Sequence, residues 1–136
     1  MRNKEFHTLS RCITKIFQPD ASTESHQDDD VYLLVFDHDL SIHLIGTLPG
    51  YINIVATFVA PADWFTPAGM ESLLMENRFS LTHPTVVFGM DSQRKKLIIS
   101  TRQLLSELNE ESVIKMFRNI LHLSGGIFRG EITPKK

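Results

Sequence analysis

From Glu5 to Phe17 the apolar residues Phe6, Leu9, Cys12, Ile13, Ile16 and Phe17 recur at three- and four-residue steps, which predicts an amphipathic helix. Gln18-Pro19-Asp20 stops it, and the Ser- and Asp-rich stretch Ala21 to Asp30 reads as a loop. The period then changes. Val31 to Asp37, Leu40 to Thr47 and Tyr51 to Val59 are β-branched and aromatic runs, separated by the turn compositions Asp37-His38-Asp39 and Leu48-Pro49-Gly50. They predict a three-strand antiparallel meander. Its first run sets Tyr32, Leu34 and Phe36 on one side and Val31, Leu33 and Val35 on the other, so both faces of that strand call for cover.

After the connection Ala60 to Phe65, Thr66-Pro67 has the form of an N-cap followed by proline in the first turn, and a second helix is expected to about Asn77. Its apolar positions Met70, Leu73, Leu74 and Met75 span more than a narrow stripe. Pro84 to Met90 and Lys96 to Thr101 form a second hairpin around Asp91-Ser92-Gln93-Arg94-Lys95. Asn109 caps a third helix, with Glu110 and Glu111 at its positive end. Val113, Ile114, Phe117, Ile120 and Leu121 make its buried stripe, and Gly125-Gly126 is expected to end it. The predicted class is α+β: helix, three-strand antiparallel meander, helix, two-strand hairpin, helix, with helices against an antiparallel sheet. Residues 1–136 form a single domain, with 18–30 a surface loop and 129–136 a frayed tail.

Composition narrows the function. Hydrophobic residues at 42% and charged residues at 22% are those of an ordinary folded domain. A net charge of −2 gives no electrostatic footprint for a phosphate backbone, so nucleic acid is not an expected partner. No apolar run is long enough to span a bilayer and the first 17 residues lack a signal-peptide core, so a cytoplasmic location is expected. One cysteine, Cys12, excludes an internal disulfide or a paired-cysteine zinc site.

Candidate chemistry is sparse. Asp28-Asp29-Asp30 is a carboxylate run without the spaced oxygens and glycine of a calcium loop. Of the histidines His7, His26, His38, His43, His83 and His122, His38 lies between two aspartates, but adjacent turn residues diverge. No nucleophile elbow, metalloprotease helix or phosphate-cradling loop occurs, so no catalytic, cofactor or metal residue is expected and the chain reads as no enzyme. Trp64 and Phe65, beside Pro61 and Pro67, could anchor a partner or plug one end of the core.

Leu73-Leu74-Met75-Glu76-Asn77, Phe88-Gly89-Met90-Asp91, Leu97-Ile98-Ile99-Ser100-Thr101, and then Leu104, Leu105, Leu108-Asn109, Val113, Phe117 and Leu121 follow one another in an order and spacing that resembles the class I type III secretion chaperones of the CesT/Tir chaperone family. Chain length and element order resemble that family too. The resemblance implies a cytoplasmic homodimer with a role in virulence. It would use no cofactor, bind the N-terminal segment of a secreted effector, keep it non-globular and deliver it to the export apparatus, with the secretion ATPase a further partner. A regulatory or structural protein on the same fold, similar to the YbjN-like proteins and without secretion cargo, is the alternative. Cargo contacts are expected from Phe6, Leu9, Ile13, Ile16, Phe17, Leu33, Val35, Ile42 and Leu44, with the outward face of each strand left open. Dimer contacts are expected from Met70, Leu73, Leu74, Val87 and Ile99.

Overall fold

The computed structural model describes residues 4–18, 30–77 and 86–134. His26, His83, Asp28, Asp29, Pro84 and the end of the tail, with most of the 18–30 loop, lie outside them. Helix α1 spans Lys4–Phe17, strands β1 Val31–Asp37, β2 Leu40–Ile45 and β3 Tyr51–Val59 follow, then helix α2 Pro67–Glu76, strands β4 Val86–Asp91 and β5 Lys96–Leu104, and helix α3 Glu110–Phe128. The strands form one sheet in the order β1-β2-β3-β5-β4, antiparallel throughout. The predicted α+β order of elements is the observed one.

Register assigns the paired residues to faces, with one irregularity between Val35 and Asp37 of β1. Leu34, Ile42, Ala56, Ile99 and Phe88 align across all five strands, and Leu44, Ile54 and Thr101 form the next row. This face is the core: Leu34, Ile42, Leu44, Ile52, Ile54, Phe58, Leu97 and Ile99 are fully buried. Phe6, Leu9 and Ile13 of α1 and Val113, Phe117 and Ile120 of α3 fill it from above. Both helices therefore dock on the same face. Truncating a ring such as Phe117, which stacks on Phe17 at 4.6 Å and on Phe36 at 6.1 Å, should cost about 3–5 kcal/mol.

Local chemistry sets the helix ends. Thr66 Oγ1 accepts the Gly69 N–H at 3.1 Å at the start of α2. At α3 the capping is reciprocal: Asn109 Oδ1 accepts from Ser112 N–H at 2.8 Å, and Ser112 Oγ accepts from Asn109 N–H at 2.9 Å.

Four boundaries among the described residues differ from expectation by more than one residue. Helix α3 runs through Gly125 and Gly126, both buried, because the glycines serve packing: a Cβ on Gly126 would stand 2.5 Å from Ile132. The stop is Gly130 at φ +77°, where Gly130 N–H donates to Ile127 O at 3.1 Å and Glu131 N–H to Gly126 O at 2.8 Å. Residues 129–132 of the expected tail are held by this cap and by Ile132, which packs on the core. Strand β5 continues past Thr101 to Leu104, because β3 is nine residues long and Tyr51 pairs with Leu104. Strand β2 stops at Ile45 instead of Thr47. Gly46 passes beneath the Phe6 ring there and donates its N–H to Asp30 O at 2.8 Å.

Candidate functional site: the open sheet face and its edges

The face of the sheet opposite α1 and α3 carries Val31, Leu33 and Val35 of β1, Ser41, His43 and Ile45 of β2, Val55 and Thr57 of β3, Ile98 and Ser100 of β5 and Val87 of β4. None of these is buried. One row reads Leu33, His43, Val55, Ser100 and Val87 across the sheet, and the next reads Val35, Ser41, Thr57, Ile98 and Gly89. Apolar and polar residues alternate along the first row, the second sets Val35 and Ile98 either side of Ser41 and Thr57, and the whole surface is at least partly exposed. Val35 and Val87, at the two edges, are each 51% exposed. At the centre, partial burial pushes the His43 imidazole below its ordinary value of 6.5.

Five of the nine expected cargo residues are not on any surface. Phe6, Leu9 and Ile13 face the sheet, and Ile42 and Leu44 share the core parity of Leu34 and Tyr32, so they hold the fold and cannot act as exposed anchors. A helix stripe spaced for a groove is spaced equally well for a core, and here the core takes it. The other four lie toward the surface. Ile16 is 46% exposed, Leu33 and Val35 are on the open face, and Phe17 is half-buried with the Arg118 guanidinium 5.9 Å from its ring. Of the two faces of β1 that called for cover, the described helices cover the Tyr32–Leu34 side.

The expected dimer residues divide likewise. Leu73 and Ile99 are core. Leu74, 71% exposed, and Val87 project outward, as does Met75, the residue next to Leu74, and Met70 is half-buried. Helix α2 turns its Gly69–Ser72–Leu73 arc inward; a Cβ on Gly69 would lie 2.1 Å from the Asp63 carbonyl, so the close approach requires glycine. Trp64 is buried and Phe65 half-buried beneath Lys95, which settles that pair as a plug of the core.

Two side-chain amides that the sequence did not single out close the sheet's edges. Gln18 Oε1 accepts the Val35 N–H at 3.2 Å while its Nε2 donates to the Val35 carbonyl. On the far edge Asn77 Oδ1 accepts the Phe88 N–H at 2.6 Å and its Nδ2 donates to Phe88 O at 3.0 Å. The available sequence signal was slight: a carboxamide residue directly after each of two helices.

One other concave surface has polar groups committed to local structure. A groove of about 410 Å³ between α3 and the β4–β5 side is lined by Val86, Met116 and Ile120 with Gln103, Glu107 and Ser112. Gln103 donates to Glu107 at 2.8 Å, and Ser112 belongs to the α3 cap. Among the described residues no group of three His, Cys, Asp or Glu side chains could hold a metal ion, and no helix is long and apolar enough to cross a membrane. Burial, and then Glu110, pushes the Cys12 thiol up, away from thiolate chemistry.

No protein-family model matches the chain, and no curated protein matches it in sequence. Its architecture does match solved structures. The Yersinia pestis type III secretion chaperone SycH, in complex with a fragment of YscM2, superposes with a TM-score of 0.69 at 9% identity, over 90% of this chain and 98% of SycH. The ExoT–SpcS complex from Pseudomonas aeruginosa gives 0.62 at 13% identity, over 92% and 98%. YbjN from E. coli gives 0.57 at 15%, over 92% and 90%. The chain has the fold of the class I type III secretion chaperones, one that YbjN also resembles.

Proposed function

We propose that this protein is a non-catalytic chaperone of a type III secretion system. In this reading it binds the N-terminal segment of a secreted effector in the cytoplasm, keeps that segment non-globular and delivers it to the export apparatus. The observation that carries the proposal is the partly exposed face whose apolar residues run out through Val31, Leu33 and Val35 on an edge strand, in a fold shared with chaperones solved with their partners. An extended segment can add main-chain hydrogen bonds at a sheet edge and seat alternate side chains beside Val31, Leu33 and Val35. A disordered cargo loses entropy on ordering, and a wide apolar surface offsets that loss. The exposed Leu74 and Met75 of α2 and Val87 of β4, the strand that α2 packs against, support a twofold contact between two copies, which would double the surface offered to one cargo.

The likeness to YbjN favours a second reading, a regulatory or structural protein on this fold without secretion cargo. Affinity purification from a bacterium carrying a type III system separates the two. The chaperone reading expects a co-purifying secreted protein, bound through its N-terminal segment and lost from the Leu33→Asp/Val35→Asp variant. Its secretion should fall when the chaperone gene is deleted. Unchanged secretion of every effector in the deletion strain would favour the regulator.

A further inference from the structure

We infer that Gln18 gates the β1 edge; this rests on the cargo reading, which seats an extended segment along that edge, and specifies how the site is kept closed until the segment arrives. The chemistry of the occupant is visible in the clamp. A carboxamide presents one N–H donor and one C=O acceptor, as a peptide group does, and Gln18 places both on the N–H and C=O of Val35. The bonds of Val35 that point away from β2 are therefore filled by a side chain imitating one residue of a sixth strand.

An empty strand edge invites pairing with any other chain, and proteins guard such edges. Both edges of this sheet are guarded in one manner. Gln18 and Asn77 each follow a helix, each donates a backbone N–H back into it (to Thr14 O at 2.8 Å and Leu74 O at 3.2 Å), and each turns its amide onto one edge residue. The two guards differ in what removal would require. Asn77 is short and lies at the end of α2, which packs directly against β4, so freeing Phe88 would move the helix. Gln18 has one more rotatable bond, and α1 is held by Phe6, Leu9 and Ile13 well before it. Its side chain can swing off Val35 while the helix stays in place.

The same edge residues carry their side chains on the open face. A strand added beside β1 therefore sets every second side chain next to Val31, Leu33 or Val35. The segment that fits alternates apolar and polar residues and has no proline at the paired positions. Its main chain takes over both bonds that Gln18 releases, so the exchange leaves no edge group of Val35 unpaired.

The test uses the full chain, the variants Gln18→Ala and Gln18→Glu, and a fluorescein-labelled, lysine-flanked peptide of alternating valine and threonine, with a proline-interrupted version as control. Gln18→Glu retains an acceptor for the Val35 N–H but loses the donor to its carbonyl. Amide exchange at Val35, followed by NMR without peptide, should accelerate about tenfold or more in Gln18→Ala. Fluorescence anisotropy should show that variant binding the alternating peptide about tenfold tighter than wild type, Gln18→Glu in between, and the control peptide binding to none. Unchanged exchange at Val35 would overturn the clamp. Faster exchange with equal peptide affinity in all three proteins would overturn the gate but leave the docking edge standing. Faster exchange with no peptide binding would overturn the docking edge itself. In that last case an effector still captured by the wild-type protein would show that cargo binds elsewhere, leaving the chaperone reading intact.

Discussion

His7 and Asp30 stand 2.7 Å apart, imidazole Nε2 to carboxylate oxygen, and join the first turns of α1 to the residue just before β1. The other ring nitrogen is 2.8 Å from the Tyr32 hydroxyl, so the imidazole bridges two groups of the edge strand from inside the core. A carboxylate only accepts, so Nε2–H donates to Asp30, while Nδ1 and the Tyr32 hydroxyl share the second hydrogen bond. Burial pushes the Tyr32 hydroxyl up, with Arg11 acting against it. Asp30 reaches this position through a left-handed backbone, φ +53°, which aspartate tolerates better than most residues.

His7→Leu removes the bridge and leaves the Tyr32 hydroxyl buried without this partner. A loss of about 1–3 kcal/mol is expected in denaturant unfolding. Asp30→Asn should cost less, and the double variant should cost less than the sum, since the two residues share one bond. Strict additivity would mean that the bridge does not form in solution.

Gly46→Ala drives a methyl into the Phe6 ring, 2.4 Å from the position its Cβ would take, where α1 presses on the end of β2. A destabilisation of about 1–3 kcal/mol follows. Gly89→Ala, with nothing within 4 Å of the new Cβ, should stay within about 0.5 kcal/mol of wild type. Thermal unfolding of the pair gives the comparison, and equal losses would contradict the packing described for α1.

Much of the fold was legible in the sequence because period and punctuation agreed. The three- and four-residue steps from Phe6 to Phe17 made a helix, and Asp37-His38-Asp39 and Leu48-Pro49-Gly50 broke the meander where the structure turns. Periodicity also showed that Phe6, Leu9 and Ile13 share a stripe. It could not say whether the sheet or a client covers that stripe, which is a tertiary question. Register decided the strands: Ile42 and Leu44 face inward only because β1 pairs Leu34 with Ile42, and a one-residue slip would have exposed them. Gly125-Gly126 misled because glycine marks close packing as readily as a helix end. The clamps were illegible because they join residues 17 and 11 positions apart through side chains whose local role is to end a helix.

Leu73 and Leu74 are neighbours with opposite fates, one in the core and one 71% exposed. If α2 carries the twofold contact, Leu74→Asp should give a folded monomer in analytical ultracentrifugation at micromolar concentration. Leu73→Asp should instead lower the thermal midpoint sharply, because it places a carboxylate in the core. A wild-type monomer would remove the dimer from the account.

His43 gives the open face a pH dependence. Burial lowers its folded-state proton affinity below the ordinary 6.5, so as pH falls through that value the unfolded chain takes up the proton first and stability declines. The loss continues until the folded form is also protonated, and reverses as pH rises. His43→Gln should flatten this part of the profile in urea unfolding at successive pH values. A partner seated on the face would desolvate His43 further, so its binding should weaken on acidification in wild type more than in the variant. Identical pH profiles for the two proteins would contradict the assignment.

The claim that this chain holds an extended client along β1 and the open face is tested most directly by hydrogen–deuterium exchange on the purified complex with its captured secreted protein. The account predicts new protection in the chaperone at Val31–Asp37. It also predicts new protection in one continuous N-terminal stretch of the client that exchanges freely when alone. Protection confined to a folded domain of the client, or a β1 strand that exchanges identically with and without it, would contradict the account.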